Sequence, residues 1–249
     1  AGRRACSRAP RRQRPGARQP AAGGSSWAGR PGLLPGLGLQ VGAGRLVDDL
    51  EPVLPRRAWH AAAVLGSVAL VELALALWLG TQRADLHEAM RGGMFWWKML
   101  TCLGLALAGG IAVLAALDPE TRARPLWRGL AATTAVALLV GAVLAGVKAV
   151  SAPVLLRLNP EHGLQCLAWS MLLALPIVAA IVFLARRAAP TRPRATATAA
   201  GIAASGWGAF VFAWSCPFAD PLYVLVWYGG AILLGAIAAR VLLTPVLRW

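Results

Sequence analysis

Apolar residues in this chain gather into six long runs separated by short polar connections. The runs lie near Trp59–Gly80, Met94–Leu117, Trp127–Val147, Leu164–Ala185, Ala197–Trp214 and Leu222–Leu243. The last run has no charged residue from Leu222 to Ala239. A bilayer core takes about 20 consecutive apolar residues at roughly 1.5 Å each, and each run meets or approaches that length. Strict alternation of apolar and polar positions is missing, so strands are not expected. The pattern predicts an all-α polytopic membrane protein. Its six transmembrane helices form an antiparallel bundle, because short connections place successive helices side by side.

Composition supports lipid as the solvent. Hydrophobic residues make up 58% of the 249-residue chain and charged residues only 14%, against about a quarter charged in a soluble domain. The net charge of +15 resembles that of a nucleic-acid-binding protein until its location is considered. Residues 1–44 carry eight arginines and no acid, whereas the chain from Arg45 onward has 17 basic and 10 acidic residues, mostly flanking apolar runs. Basic residues in those positions set topology. Arg56, Arg57, Arg122, Arg124, Arg128, Arg186, Arg187, Arg192, Arg194, Arg240 and Arg248 fall on one side, and Arg83, Arg91, Lys98, Lys148 and Arg157 on the other. This bias puts both termini in the cytoplasm. Trp59, Trp96, Trp97, Trp127, Trp214, Trp227 and Trp249 lie near run ends, where interfacial anchors belong.

Three segments follow. Residues 1–44, rich in Arg, Pro, Gly and Ala, have too few large apolar groups to form a core. They are read as sequence upstream of the true start or, next, as a disordered basic arm. Interleaved aromatics are lacking apart from Trp27, so no direct nucleic-acid contact is expected. Residues 45–58 form a cytoplasmic juxtamembrane segment, with Leu46, Leu50 and Val53 at helical spacing and Pro52 and Pro55 limiting its length. Residues 59–249 are the six-helix transmembrane domain.

Few residues could carry chemistry. Glu72 sits about 12 Å and Lys98 about 6 Å from the outer ends of their runs, so the two could pair, or Glu72 could be a neutral acid. As intramembrane charges, together with the outer-face thiols below, they also suggest a small transporter or metal-efflux component. No nucleophile–base grouping, phosphate loop or paired-carboxylate site can be assembled, so an enzyme is not expected, nor is a cofactor. Cys166 opens the fourth run and Cys216 closes the fifth, which places both thiols at the outer face. They could form a disulfide, bind a soft metal together with His162, or be buried. A quinone-linked thiol oxidoreductase is a further alternative, but no CxxC is present.

From Arg45 onward the chain resembles the NrsF-type family of six-helix bacterial membrane anti-sigma factors. The resemblance rests on Asp48, Asp49, Leu50 and Pro52–Pro55 before the first run, and on the FWWK stretch Phe95–Lys98. It rests also on Cys166, Ser170 and Leu173–Pro176, on CPFADPLYVLVWYGGAI from Cys216, and on the closing Leu247-Arg248-Trp249. Ser215 departs from it, since the family often has His there. The resemblance implies a regulator that holds an extracytoplasmic-function sigma factor at the inner membrane and releases it on heavy-metal or oxidative envelope stress. It further implies Cys166 and Cys216 as the signal-sensing thiols, and Asp48, Asp49, Leu50, Pro52 and Val53 as the sigma-factor contact.

Overall fold

The computed structural model describes residues 58–79, 83–117, 123–147, 153–186, 188 and 192–247. The basic segment 1–44 and the juxtamembrane residues Asp48, Asp49, Leu50, Pro52 and Val53 lie outside the described residues. So do Arg56, Arg57, Arg122, Lys148, Arg187, Arg248 and Trp249. Among the described residues every regular element is helical. Six helical stretches are long and apolar enough to cross a membrane: Trp59–Trp78, Gly93–Ala116, Pro125–Val147, Val154–Ala185, Pro193–Ala213 and Pro221–Val246.

In chain order the helices are α1 (Ala58–Trp78), the short α2 (Leu86–Ala89), α3 (Gly93–Ala116) and α4 (Ala123–Val147). The fourth span is broken into α5 (Val154–Leu158), α6 (Pro160–Leu173) and α7 (Leu175–Ala185). After α8 (Pro193–Ala213) the last span, α9, runs from Pro221 to Val246. It opens with a helical turn at Pro221–Tyr223, widens into a π-helical turn at Val224–Tyr228 and continues as α-helix from Gly229.

The fourth span begins ten residues earlier than hydropathy suggests, so Cys166 lies within the span rather than at its start. Local chemistry explains the breaks. Asn159 takes the left-handed conformation, φ 40°, at the junction of α5 and α6, which asparagine tolerates better than most residues. Pro160 then opens α6. Pro176, which cannot donate to a preceding carbonyl, lies in the first turn of α7 just after the break at Ala174.

The core gathers around α8. Its sequence, PRATATAAGIAASGWGAFVFA, is almost all small in its first two-thirds, and α3, α6 and α9 pack on it. Lipid is as apolar as leucine, so helices associate in it by close contact between backbones. Gly201 and Gly208 are among the positions where only glycine allows that contact. A Cβ on Gly201 would stand 2.7 Å from the Cα of Ala236 on α9, and one on Gly208 would stand 2.7 Å from the backbone nitrogen of Ala174 at the end of α6. Large apolar side chains face outward instead: Leu70, Val71, Leu139, Leu155, Leu233 and Val241 are all exposed. Helix α1 is the least embedded of the six; among its described side chains only Glu72 is buried.

Gly208→Val should therefore lower the stability of the detergent-solubilised protein by about 1–3 kcal/mol, read as a drop in its unfolding midpoint. Gly230→Val, where nothing lies within 4 Å of the added carbon, should leave it unchanged.

Candidate thiol site

Helix α8 stops after Ala213, and the chain turns through Trp214 to Asp220 before α9 begins. Pro217 prevents the helix from continuing past Cys216. Asp220 then caps the next helix: its Oδ1 accepts from the backbone N–H of Leu222 at 2.9 Å and of Tyr223 at 3.4 Å, with Pro221 at the first helical position. The same carboxylate is held by Arg157, which donates to Oδ1 at 3.1 Å and Oδ2 at 3.3 Å and also to the Ala145 carbonyl of α4 at 3.3 Å. Trp227 donates to Leu158 O at 2.7 Å. Thus α4, α5 and α9 all fasten the loop that carries Cys216.

The fold brings Cys166 of α6 and Cys216 of the loop into one buried cluster as adjacent free thiols. They are 1% and 3% exposed, so neither meets solvent directly. Two tyrosines complete the cluster. Residues five apart on an α-helix point about 140° from one another. The π turn between Tyr223 and Tyr228 closes that angle, and both side chains enter the core at 1% exposure. Their hydroxyls find no oxygen or nitrogen partner and lie against the two thiols.

Lys98 enters the cluster from α3 and is fully buried. Its Nζ donates to Cys216 O at 3.0 Å and to Phe218 O at 3.2 Å, and lies 5.6 Å from the centre of the Tyr228 ring. The Cys216 thiol is held below the usual thiol range, first by the Cys166 thiol beside it and then by the Lys98 ammonium, against the opposing effect of burial. Arg83 closes over this end of the bundle. Its backbone N–H donates to Trp214 O at 3.2 Å, and its guanidinium binds Asp85, whose carboxyl it holds below the ordinary carboxylate range.

The suggested Glu72–Lys98 pair does not form. Lys98 directs its donors at the loop carbonyls, while Glu72 faces α8 and accepts from Trp207 Nε1 at 3.2 Å through Oε2. The other oxygen of Glu72 is buried without a partner. His162 does not join the thiols as a third metal ligand: its Nδ1 lies 3.1 Å from Asn159 Oδ1 and its ring packs on Phe218. Among the described residues no three His, Cys, Asp or Glu side chains converge as a metal site.

Some of this is legible in the sequence. Asp220-Pro221 ahead of an apolar run is a helix-start signature. The partnership of Arg157 with Asp220 and the convergence of Tyr223 with Tyr228 had no such signal, since one spans 63 residues and the other depends on a π turn.

These features define a six-span helical membrane protein with a buried two-thiol cluster at one end of its bundle. The family model described as "Negative regulator of sigma F", NrsF, matches residues 46–249, and the chain belongs to that family. It is 34% identical over 211 residues to the anti-sigma-F factor NrsF of Caulobacter vibrioides, covering 80% of this chain and 91% of that protein. It is 29% identical over 207 residues to the probable anti-sigma-F factor NrsF of Azospira oryzae, covering 78% and 91%. No solved structure matches.

Asp220→Ala removes both the helix cap and the partner of a largely buried arginine. It should destabilise the protein by about 1–3 kcal/mol, measured by thermal unfolding in detergent. Asp85→Ala, at an exposed carboxylate outside the thiol cluster, should have a much smaller effect.

Proposed function

We propose that this protein is a membrane-bound anti-sigma factor without enzymatic activity. It holds an extracytoplasmic-function sigma factor at the bacterial inner membrane and releases it when the Cys166–Cys216 pair is oxidised. The observation that carries the reading is the convergence of these two thiols from α6 and the loop after α8, in a chain matched to the family over residues 46–249. The bias of Lys and Arg supports placing both termini in the cytoplasm and the thiols at the periplasmic face, an oxidising compartment. Glu72 and Lys98 each have their own partner rather than one another.

The sigma-factor contact is assigned to Asp48, Asp49, Leu50, Pro52 and Val53, which directly precede α1. From the thiols a physical route leads to α1 along the aromatic ladder of α8. Trp214 follows the last residue of α8 and precedes the thiol loop; its ring centre is 6.3 Å from that of Phe210, which is 5.3 Å from that of Trp207. Trp207 in turn donates to Glu72, the buried residue of α1. Closing an S–S bond would pull the loop toward α6 and reseat Trp214, shifting α1. Such coupling requires two packings whose balance oxidation changes.

A membrane pull-down against the host's sigma factors tests the reading. The full chain should capture one sigma factor under reducing conditions, and changing Asp48, Asp49 and Leu50 together to Ala should lower capture about tenfold or more. Peroxide should release the factor from the native chain but not from a Cys166→Ser, Cys216→Ser variant. Trp207→Phe, which deletes the bond to Glu72, should blunt release while leaving capture intact. Failure to capture any sigma factor would overturn the anti-sigma reading, and normal release from the double cysteine variant would overturn the sensor.

A further inference from the structure

Lys98 is left with an unusual problem. Its side chain is fully buried, yet the ion pairs among the described residues are Arg83–Asp85 and Arg157–Asp220, and neither involves it. A buried ammonium needs both hydrogen bonds and compensating negative charge. Two carbonyls and the face of Tyr228 supply part of the first requirement, but they are dipoles and a quadrupole, not an anion.

The groups facing Cys216 from the surrounding elements are Lys98 and Cys102 on α3, Cys166 on α6, Tyr223 and Tyr228 on α9, and Arg83 ahead of α2. No carboxylate is among them. Thiols and phenols are therefore the sources of a counter-charge, and the sulfur most closely tied to the ammonium is Cys216. Lys98 Nζ is 3.2 Å and Cys216 Sγ 3.9 Å from the same oxygen, Phe218 O, while the ammonium also holds the carbonyl of Cys216 itself. The ammonium thus grips the loop on both sides of Pro217 and sits beside the sulfur that the loop presents.

We propose that Lys98 is a positioning residue that makes Cys216 the attacking thiolate of the pair and Cys166 the resolving thiol. The proposal deepens the sensor reading and rests on it. With a peroxide as oxidant, the Cys216 thiolate attacks one peroxide oxygen and the O–O bond breaks. The other oxygen leaves as hydroxide and takes a proton to become water, leaving Cys216 as a sulfenic acid. The Cys166 sulfur then attacks the Cys216 sulfur. The S–O bond breaks, a second water leaves with the Cys166 proton, and the S–S bond closes. Two thiols give two electrons to one peroxide. The placement fits this order, because Cys216 lies in a loop between spans whereas Cys166 is embedded in α6.

The order can be read directly. The reduced full chain in liposomes is labelled briefly with limiting N-ethylmaleimide from about pH 5 to about pH 9, a range that brackets perturbed and ordinary thiols, and each cysteine is quantified by mass spectrometry. Cys216 should label before Cys166, with its half-maximal rate below the pH of an ordinary thiol. Lys98→Met should slow labelling of Cys216 near neutral pH by about tenfold or more, the loss expected when a thiol rises by one pH unit or more, and should move its profile upward. Lys98→Arg, which keeps the charge, should restore early labelling of Cys216.

Labelling of Cys166 first in the native chain would overturn the proposal, as would an unchanged Cys216 profile in Lys98→Met. If Lys98→Met does not insert, the native order and the Lys98→Arg profile decide: an arginine variant with Cys216 as slow as Cys166 overturns it. The sensor fails separately. Normal sigma-factor release from the double cysteine variant would sink sensing even if Cys216 labels first.

Discussion

Everything in this bundle depends on how closely α8 approaches its neighbours. In water, burial of large side chains would drive the helices together, but in lipid that force is lost and contact between small residues takes its place. Helix α8 meets α9 at Gly201 and α6 at Gly208, with backbone atoms where side chains would otherwise stand. Its later residues, Phe210, Trp214 and the loop beyond, inherit their positions from that contact. The thiol pair is one result: Cys216 leaves the end of α8 and reaches Cys166 because α6 is packed against the same helix.

Close packing also raises the stakes for each polar group inside. A buried polar atom without a partner costs about 1–3 kcal/mol, and the structure meets most of that demand at the ends of spans. Arg157 with Asp220 and Lys98 with two carbonyls both serve the loop between α8 and α9. That loop is consequently tied to α3, α4 and α5 at once. The exceptions among the described residues, the hydroxyls of Ser170, Tyr223 and Tyr228, the indole N–H of Trp214 and one oxygen of Glu72, mark places where packing has taken precedence over hydrogen bonding. Those of Tyr223 and Tyr228 lie at the thiols and that of Glu72 on the loosely embedded α1, elements to which a switching role is assigned.

The uneven embedding of the helices bears on that role. A regulator needs a firm frame and an element that can move within it. Helices α3, α8 and α9 supply the frame through small-residue contacts, whereas α1 offers one buried side chain and an outward apolar face. Modest motion of that helix would leave the core undisturbed.

Much was legible in the sequence. Run length and the scarcity of charge were enough for six spans, because a bilayer fixes helix length whatever the packing. The two thiols could also be placed near one another from topology, since both fell beside the same predicted face. Span boundaries were less legible at the fourth run, where Arg157 and Asn159 hid a helical extension that polarity alone would exclude. What only the tertiary structure decided was partnership. Lys98 turns to the Cys216 loop and Glu72 to Trp207, although depth along the helix allowed them to meet. Depth is set by sequence position, but the direction of a side chain depends on how each helix is rotated against its neighbours. That rotation is set by glycine and alanine contacts between segments distant in the chain.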